Sequence, residues 1–120
     1  FLIMSIHTEI RDEILIVRPS GNVSKPVAAE LEELLSAAMD DGVNYMVFEL
    51  SSLTQISSEG LRTILKTVKA LRDAHGLVAV VGLRAQVRSV FEVGGFFALL
   101  DEFDKLEDAL DAIHEEIGNH

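Results

Sequence analysis

The sequence predicts a single α/β domain, in which a mixed, mostly parallel sheet follows an N-terminal hairpin and packs with about four helices. Two strand-like apolar segments come first and are joined by a short polar turn. Beyond them, strand-like and helix-like segments alternate, which is typical of parallel strands joined by right-handed crossover helices. The chain of 120 residues has no internal repeat, low-complexity tract or linker. We therefore assign residues 1–120 to one domain.

The first two segments are predicted to form the hairpin. In the first segment, alternate residues face one side and are separated by polar neighbours, which is typical of a half-buried strand; they are Met4, Ile6, Thr8 and Ile10. Residues 11–13 are polar and form the predicted turn, and residues 14–17 are apolar and form the returning strand. Breaker residues at positions 19–21 end that strand.

A helix and a buried strand come next. The helix is predicted to begin at Ser24, a candidate N-cap, with proline in its first turn, and to end at residues 40–42. Its apolar face comprises Val27, Leu31, Leu34, Leu35 and Ala38. Residues 45–50 begin with a continuous apolar run, which is typical of a strand buried on both faces.

The second helix, roughly residues 58–74, has the most regular pattern in the chain. Its predicted buried stripe comprises Leu61, Ile64, Leu65, Val68 and Leu71. Its exposed basic stripe comprises Arg62, Lys66, Lys69 and Arg72. This stripe is interpreted either as a solvated helix face or as a contact surface for an acidic or phosphorylated partner.

The remaining segments add two strands and two helices. Residues 77–81 form a second buried strand and residues 97–100 a short one. The helix between them is predicted over residues 84–93 and ends at two glycines. The side chains of Val87, Val90 and Phe91 are predicted to face the core. The apolar face of the last helix comprises Leu106, Ala109, Leu110, Ile113 and Ile117.

Composition narrows the classes of function. Twenty acidic residues against ten basic ones give a net charge of −10, which disfavours nucleic acid as a partner. The absence of cysteine excludes disulfides, zinc ribbons and thiol catalysis, and it fits the cytoplasmic location that we expect. The apolar stretches fall short of the roughly 20 residues that span a bilayer, so we expect no membrane insertion. Residues 1–4 lack the basic lead of a signal peptide.

The pattern indicates neither a catalytic nor a metal-binding constellation. The histidines, His7, His75, His114 and His120, have no spacing that would place two of them on one metal. No glycine-rich phosphate loop and no G-x-S-x-G nucleophile elbow appears. A hydrolase that used Ser58 would need a base, and His75 lies about 25 Å away along the same helix. We expect no enzymatic activity, no cofactor and no metal.

Residues 56–62 are the most informative segment, because the second helix begins there. A serine at a helix start accepts a hydrogen bond from a free backbone N–H group, which stabilises the helix by about 1 kcal/mol. The free N–H groups and the helix dipole also make that position favourable for an anion. Ser58 is the first candidate for both roles, and Ser57 competes for the cap.

These residues resemble a STAS domain and, within that family, the bacterial anti-sigma factor antagonists. The most specific resemblance lies in the Ser-Ser-x-Gly-Leu segment at residues 57–61 and the helix behind it. Residues 78–82, 86–91 and 94–96 then match weaker family segments in the right order. The resemblance covers nearly the whole chain and implies a STAS-like fold.

The resemblance also implies a phosphorylation site. In characterised members the segment reads Asp-Ser-Ser/Thr-Gly-Leu, and an anti-sigma factor kinase phosphorylates the serine after the aspartate. When the segments are aligned on Gly60 and Leu61, that serine is Ser58. Ser57 then stands at the aspartate position and Glu59 at the second hydroxyl position, and both are departures from the family pattern.

A further departure lies after the second predicted strand. The family often has glycine, an acid, an apolar residue and another acid there, near the partner surface. Residues 21–24 of this chain read Gly-Asn-Val-Ser, so both acids are replaced. This change leaves the identity of the partner open.

The resemblance therefore implies a non-catalytic switch protein, a monomer or weak dimer, that binds a serine-kinase anti-sigma factor and so frees a sigma factor. Phosphorylation of Ser58 would weaken this binding. The expected partner surface comprises Asn22, Val23, Ser24, Ser57, Ser58, Glu59, Gly60, Leu61, Arg62 and Lys66. Two alternatives implied by the same resemblance are an accessory subunit of a transporter and a component of a larger stress-signalling assembly.

Overall fold

The computed structural model describes residues 6–118, in which strands and helices alternate after an opening hairpin. The strands are β1 (Ile6–Arg11), β2 (Ile14–Pro19), β3 (Gly21–Val23), β4 (Tyr45–Glu49), β5 (Leu53–Ile56), β6 (Leu77–Val81) and β7 (Asp101–Phe103). The helices are α1 (Lys25–Asp40), α2 (Ser58–Asp73), α3 (Ala85–Val93) and α4 (Leu106–Gly118), with a 3₁₀ turn at Phe96–Ala98. Four α-helices in the described residues confirm the predicted number.

Five strands form the main sheet in the order β1-β2-β4-β6-β7. β1 pairs with β2 in the antiparallel sense, and the other three neighbouring pairs are parallel. The prediction of a mixed, mostly parallel sheet after a hairpin is therefore confirmed. Helices cover both faces of such a sheet, which explains why the central strands β4 and β6 are apolar without alternation.

The helices divide the interior into two cores. On one face, α1, α2 and α3 pack over strand residues that include Leu15, Phe48 and Val80. On the opposite face, α4 packs Leu110 and Ile113 against the alternate residues of the same strands. Successive strand residues point to opposite faces, so the central strands β2, β4 and β6 contribute to both cores.

The hairpin is confirmed, but its predicted alternation holds only in part. Its two-residue loop, Asp12 and Glu13, has φ angles of 49° and 74°, as the type I′ turn of a tight hairpin requires. Ile6 is buried, whereas Ile10 is 67% exposed, because it lies at the far end of an edge strand. The predicted strand residue Met4 lies outside the described residues.

Two short strands were missed by the sequence analysis. β3 and β5 leave the main sheet and pair with each other in parallel. Gly21, the last of the predicted breaker residues, has φ of +70° and starts β3, and its N–H donates to the Ser52 carbonyl at 2.9 Å. Neither strand is long or apolar enough to be recognised from its sequence pattern. Each forms only because the other supplies its hydrogen-bond partners.

The region after α3 differs from the prediction in two respects. Val90 is 38% exposed and does not point into the core as expected; only Val87 and Phe91 of α3 are buried. Residues 97–100 do not form a strand. Instead, Phe96 packs on Phe91 with ring centroids 4.6 Å apart, a 3₁₀ turn follows, and β7 begins at Asp101.

The predicted bounds of α1, α2 and α4 agree with the structure to within a few residues. Ser24 occupies the N-cap position of α1, but its side chain makes no capping hydrogen bond, contrary to its predicted role. In α2, Ile64, Val68 and Leu71 are buried as predicted. Leu61 and Leu65 are only partly buried and pack at the margin of the core.

Gly76 is expected to be indispensable at the junction between α2 and β6. A Cβ atom there would lie 2.2 Å from the Asn44 carbonyl oxygen, which accepts a hydrogen bond from Leu77 N–H at 3.0 Å. Because the obstacle is backbone, Gly76→Ala should lower the free energy of unfolding by about 2 kcal/mol and the melting temperature by about 8 °C. Thermal unfolding followed by circular dichroism measures this.

Gly118→Ala is the matched control, since a Cβ atom at Gly118 would have no atom within 4 Å. Its unfolding free energy should stay within about 0.5 kcal/mol of the wild type. Equal melting temperatures for the two variants would contradict the proposed role of Gly76.

Candidate functional site

Ser57 fixes the first turn of α2. It has extended backbone angles, and its Oγ accepts a hydrogen bond from Gly60 N–H at 3.1 Å, as an N-cap does. Its own N–H donates to the Val23 carbonyl at 2.8 Å, and its carbonyl accepts from Leu61 N–H at 3.0 Å. Ser57 therefore joins α2 to β3. The cap belongs to Ser57, and the assignment of that role first to Ser58 is wrong.

Ser58 is the first residue of α2, and its side chain is exposed. Its Oγ donates to Oε1 of Glu59 at 3.4 Å, a distance too long for a strong O–H···O bond. The hydroxyl consequently reaches solvent at the positive end of a helix of 16 residues. The two neighbouring serines thus differ: the Ser57 hydroxyl is hydrogen-bonded to the backbone, whereas the Ser58 hydroxyl is exposed to solvent.

Gly60 lets α2 approach the small sheet closely. A Cβ atom at Gly60 would lie 2.8 Å from Cγ1 of Ile56 and 2.9 Å from Cγ1 of Val23. Both contacts involve branched side chains packed beneath the helix, and Val23 is fully buried. Of the residues predicted for the partner surface, the Val23 side chain therefore belongs to the core and Gly60 is buried beneath the turn.

The pairing of β3 with β5 brings two distant segments together. Asn22 lies opposite Gln55 and Val23 opposite Ile56, so the end of β3 runs beside the start of α2. An open trough of about 610 Å³ follows this junction, and four predicted site residues line it: Asn22, Ser24, Ser57 and Glu59. Its other lining residues were not predicted as site residues; they are Lys25, Thr54, Gln55, Ile56, Gln86, Val87 and Val90.

Arg62 and Lys66 lie away from this trough, in a separate groove of about 490 Å³ between α1 and α2. The Lys66 ammonium is 3.8 Å from a carboxylate oxygen of Glu32 on α1. Lys25 and Glu59 line both depressions and therefore form the ridge between them. Six of the ten predicted residues line these depressions: Asn22, Ser24 and Ser57 line the weakly charged trough, Arg62 and Lys66 line the groove with charges of both signs, and Glu59 lines both. The other four, Val23, Ser58, Gly60 and Leu61, line neither.

The chemistry available at Ser58 is that of an accessible hydroxyl. His75, the histidine on the same stretch of chain, follows the opposite end of α2, about 25 Å away at 1.5 Å per residue. Within residues 6–118, no three histidine, aspartate or glutamate side chains are arranged to hold a metal ion. The helices in the same range are all too short or too polar to cross a membrane.

Comparison with known proteins gives a consistent family. A sequence model of the STAS domain matches residues 5–109. BtrV of Bordetella bronchiseptica, named as an anti-sigma factor antagonist, is 39% identical over 88 residues, which cover 73% of this chain and 76% of BtrV.

Solved structures agree on the fold. An anti-sigma factor antagonist from Thermotoga maritima superposes with a TM-score of 0.86 at 19% identity, over 91% of this chain and 94% of the other. SpoIIAA in its unphosphorylated form superposes with a TM-score of 0.76 at 19% identity, over 91% of this chain and 97% of SpoIIAA. The phosphorylated form of SpoIIAA from Bacillus superposes with a TM-score of 0.69 at 18% identity, over 90% of this chain and 98% of SpoIIAA.

STAS anti-sigma factor antagonists are regulatory proteins and not enzymes. The family model covers most of the chain, and the identity to BtrV extends over 73% of it. The chain belongs to the STAS domain family and, within it, to the anti-sigma factor antagonists.

Proposed function

We propose that this chain is a cytoplasmic phospho-switch that binds an anti-sigma factor of the serine-kinase type and thereby frees a sigma factor. The unphosphorylated chain, a monomer or weak dimer, binds the anti-sigma factor, and phosphorylation of Ser58 releases it. The observation that carries the proposal is the difference between the two serines. Ser57 Oγ is engaged with Gly60 N–H, whereas the exposed Ser58 hydroxyl has only a long contact with Glu59.

The physical effect of phosphorylation follows from charge. A phosphate adds about −1.5 to −2 charges at neutral pH, at the centre of the surface that the partner must cover. Part of this charge is stabilised by the α2 dipole, and the remainder must be desolvated when a partner docks. No large movement is required. SpoIIAA, which shares this fold, has itself been solved in a phosphorylated form.

The proposed contact surface is the exposed rim around Ser58. On the β3 side it contains Asn22 and Ser24, and on the α2 side it contains Arg62 and Lys66. Leu61 is partly buried and contributes the exposed part of its side chain. Val23 and Gly60 support this surface from below and do not face the partner.

Capture from a lysate of the source cells, followed by mass spectrometry, tests the function. Wild type and Ser58→Ala should capture the same kinase-type anti-sigma factor, because neither carries a phosphate. Ser58→Glu should capture at least tenfold less, since it puts a negative charge at the α2 start, although a single carboxylate carries less charge than a phosphate. Incubation of the captured kinase with ATP should phosphorylate wild type and leave Ser58→Ala unmodified.

Ser57→Ala is the control that separates the serines. It should cost about 1 kcal/mol of stability through loss of the cap and still accept phosphate on Ser58. Phosphate on Ser57 would mean that the switch residue is wrongly assigned. Capture of a transporter subunit in place of an anti-sigma factor would replace the proposed function with the accessory-subunit alternative.

Charge reversal on α2 tests the contact surface. Arg62→Glu and Lys66→Glu should each weaken anti-sigma factor binding by roughly fivefold, or about 1 kcal/mol, because these side chains are exposed beside Ser58. Lys105→Glu makes the same charge change on the α4 side of the sheet and should leave affinity unchanged. All three melting temperatures should stay close to wild type. Unchanged affinity in both α2 variants would remove α2 from the interface.

Glu59 is expected to oppose phosphorylation of Ser58. At about 6 Å and an effective dielectric constant near 40, a carboxylate and one unit of phosphate charge repel by roughly 1.4 kcal/mol before salt screening. Glu59→Ser should therefore raise the rate or extent of phosphorylation by the cognate kinase, as measured by phosphate incorporation. Glu59→Gln keeps the size and removes the charge, so it should give the same increase. If neither variant changes phosphorylation, Glu59 only stabilises the helix start.

A further inference from the structure

The trough beside Ser57 is nearly free of charge on a strongly acidic chain. The protein has a net charge of −10, yet the charged residues that line the trough are only Lys25 and Glu59, and both lie on its α1–α2 rim. Its floor presents the carboxamides of Asn22 and Gln55, which are opposite each other across β3 and β5. Carboxamides both donate and accept hydrogen bonds, so they suit a peptide backbone better than an ion.

The wall opposite the α2 start is formed by α3, and that wall is uncharged and mostly apolar. Gln86, Val90 and Val93 follow at spacings of four and three residues, so they share one stripe of the helix. Gln86 and Val90 line the trough, and Val93 continues the stripe beyond it. Val90 is 38% exposed and Val93 is 91% exposed, and they are two of the three large exposed apolar side chains in residues 6–118.

The position of α3 is fixed by contacts on its other sides. Val87 and Phe91 are buried in the core, and Phe91 stacks on Phe96. Arg88 forms ion pairs with Glu92 and with Glu102 of β7 and lies 5.2 Å from the centroid of the Phe97 ring. The two valines are therefore presented on an anchored helix.

We propose that the docking face continues from Ser58 across the trough onto α3, and that Val90 and Val93 contact an uncharged segment of the anti-sigma factor carrying an apolar side chain. This inference rests on the proposed function. The occupant is the same partner, because Ser57 and Glu59, the chain neighbours of Ser58, line the trough. A protein that covers Ser58 therefore reaches the edge of the trough. The segment is uncharged because a buried charge would find no opposite charge on the trough floor or the α3 wall.

The test is a binding titration with the purified anti-sigma factor recovered in the capture experiment. The double variant Val90→Ser/Val93→Ser should weaken binding about tenfold, because it removes both apolar contacts that α3 makes with the partner. Its melting temperature should remain close to wild type, because both side chains already reach solvent. The matched control is Ile10→Ser, which removes the third exposed apolar side chain from the edge strand β1 and should bind like the wild type.

The outcomes separate this inference from the function beneath it. If wild type binds and the double valine variant binds equally well, the extension onto α3 is wrong and the proposed function stands. If wild type does not bind any anti-sigma factor, the proposed function fails first. If light scattering shows that wild type is a dimer and the double variant a monomer, with equal anti-sigma factor affinity per chain, the valines serve a second copy of the chain and the inference is overturned.

Discussion

The close packing of Gly60 on Val23 and Ile56 is the constraint on which the functional surface depends. With no Cβ at position 60, the first turn of α2 lies directly against the side chains of β3 and β5. That contact sets how closely the first turn of α2 approaches β3 and β5, and this distance decides which residues around it are buried. Val23 becomes core, Ser57 is drawn into the backbone hydrogen bonds of β3, and Ser58 is the first residue to emerge into solvent.

Two adjacent serines thereby acquire separate tasks through geometry alone. Ser57 stabilises the helix start and links it to the small sheet, so its oxygen is committed to the fold. Ser58 contributes little to the fold, and its hydroxyl is exposed at the positive end of α2. The proposed switch therefore needs neither a lid nor a hinge, because a phosphate on Ser58 would change the charge of a rigid surface.

The small β3–β5 sheet explains why the surface extends beyond the helix. Because these strands leave the main sheet, their outer residues form the floor of an open trough between the helix starts. On a chain of net charge −10, that floor is free of charge, whereas the neighbouring α1–α2 groove carries charges of both signs. The surface around the α2 start therefore has two chemically different halves, one on either side of the Lys25 and Glu59 ridge.

The α/β class, the hairpin, the long amphipathic helices and the importance of residues 57–61 could all be predicted, because each depends on local periodicity or on a short motif. The remaining features depend on contacts between segments that are distant in the chain. β3 and β5 exist only through pairing with each other across about 30 residues of chain, so no local pattern reveals them. The choice of Ser57 as the cap depends on where β3 places its carbonyl. The exposure of Val90 and the trough beside it depend on how α3 packs against β5, and a periodic pattern cannot report such packing.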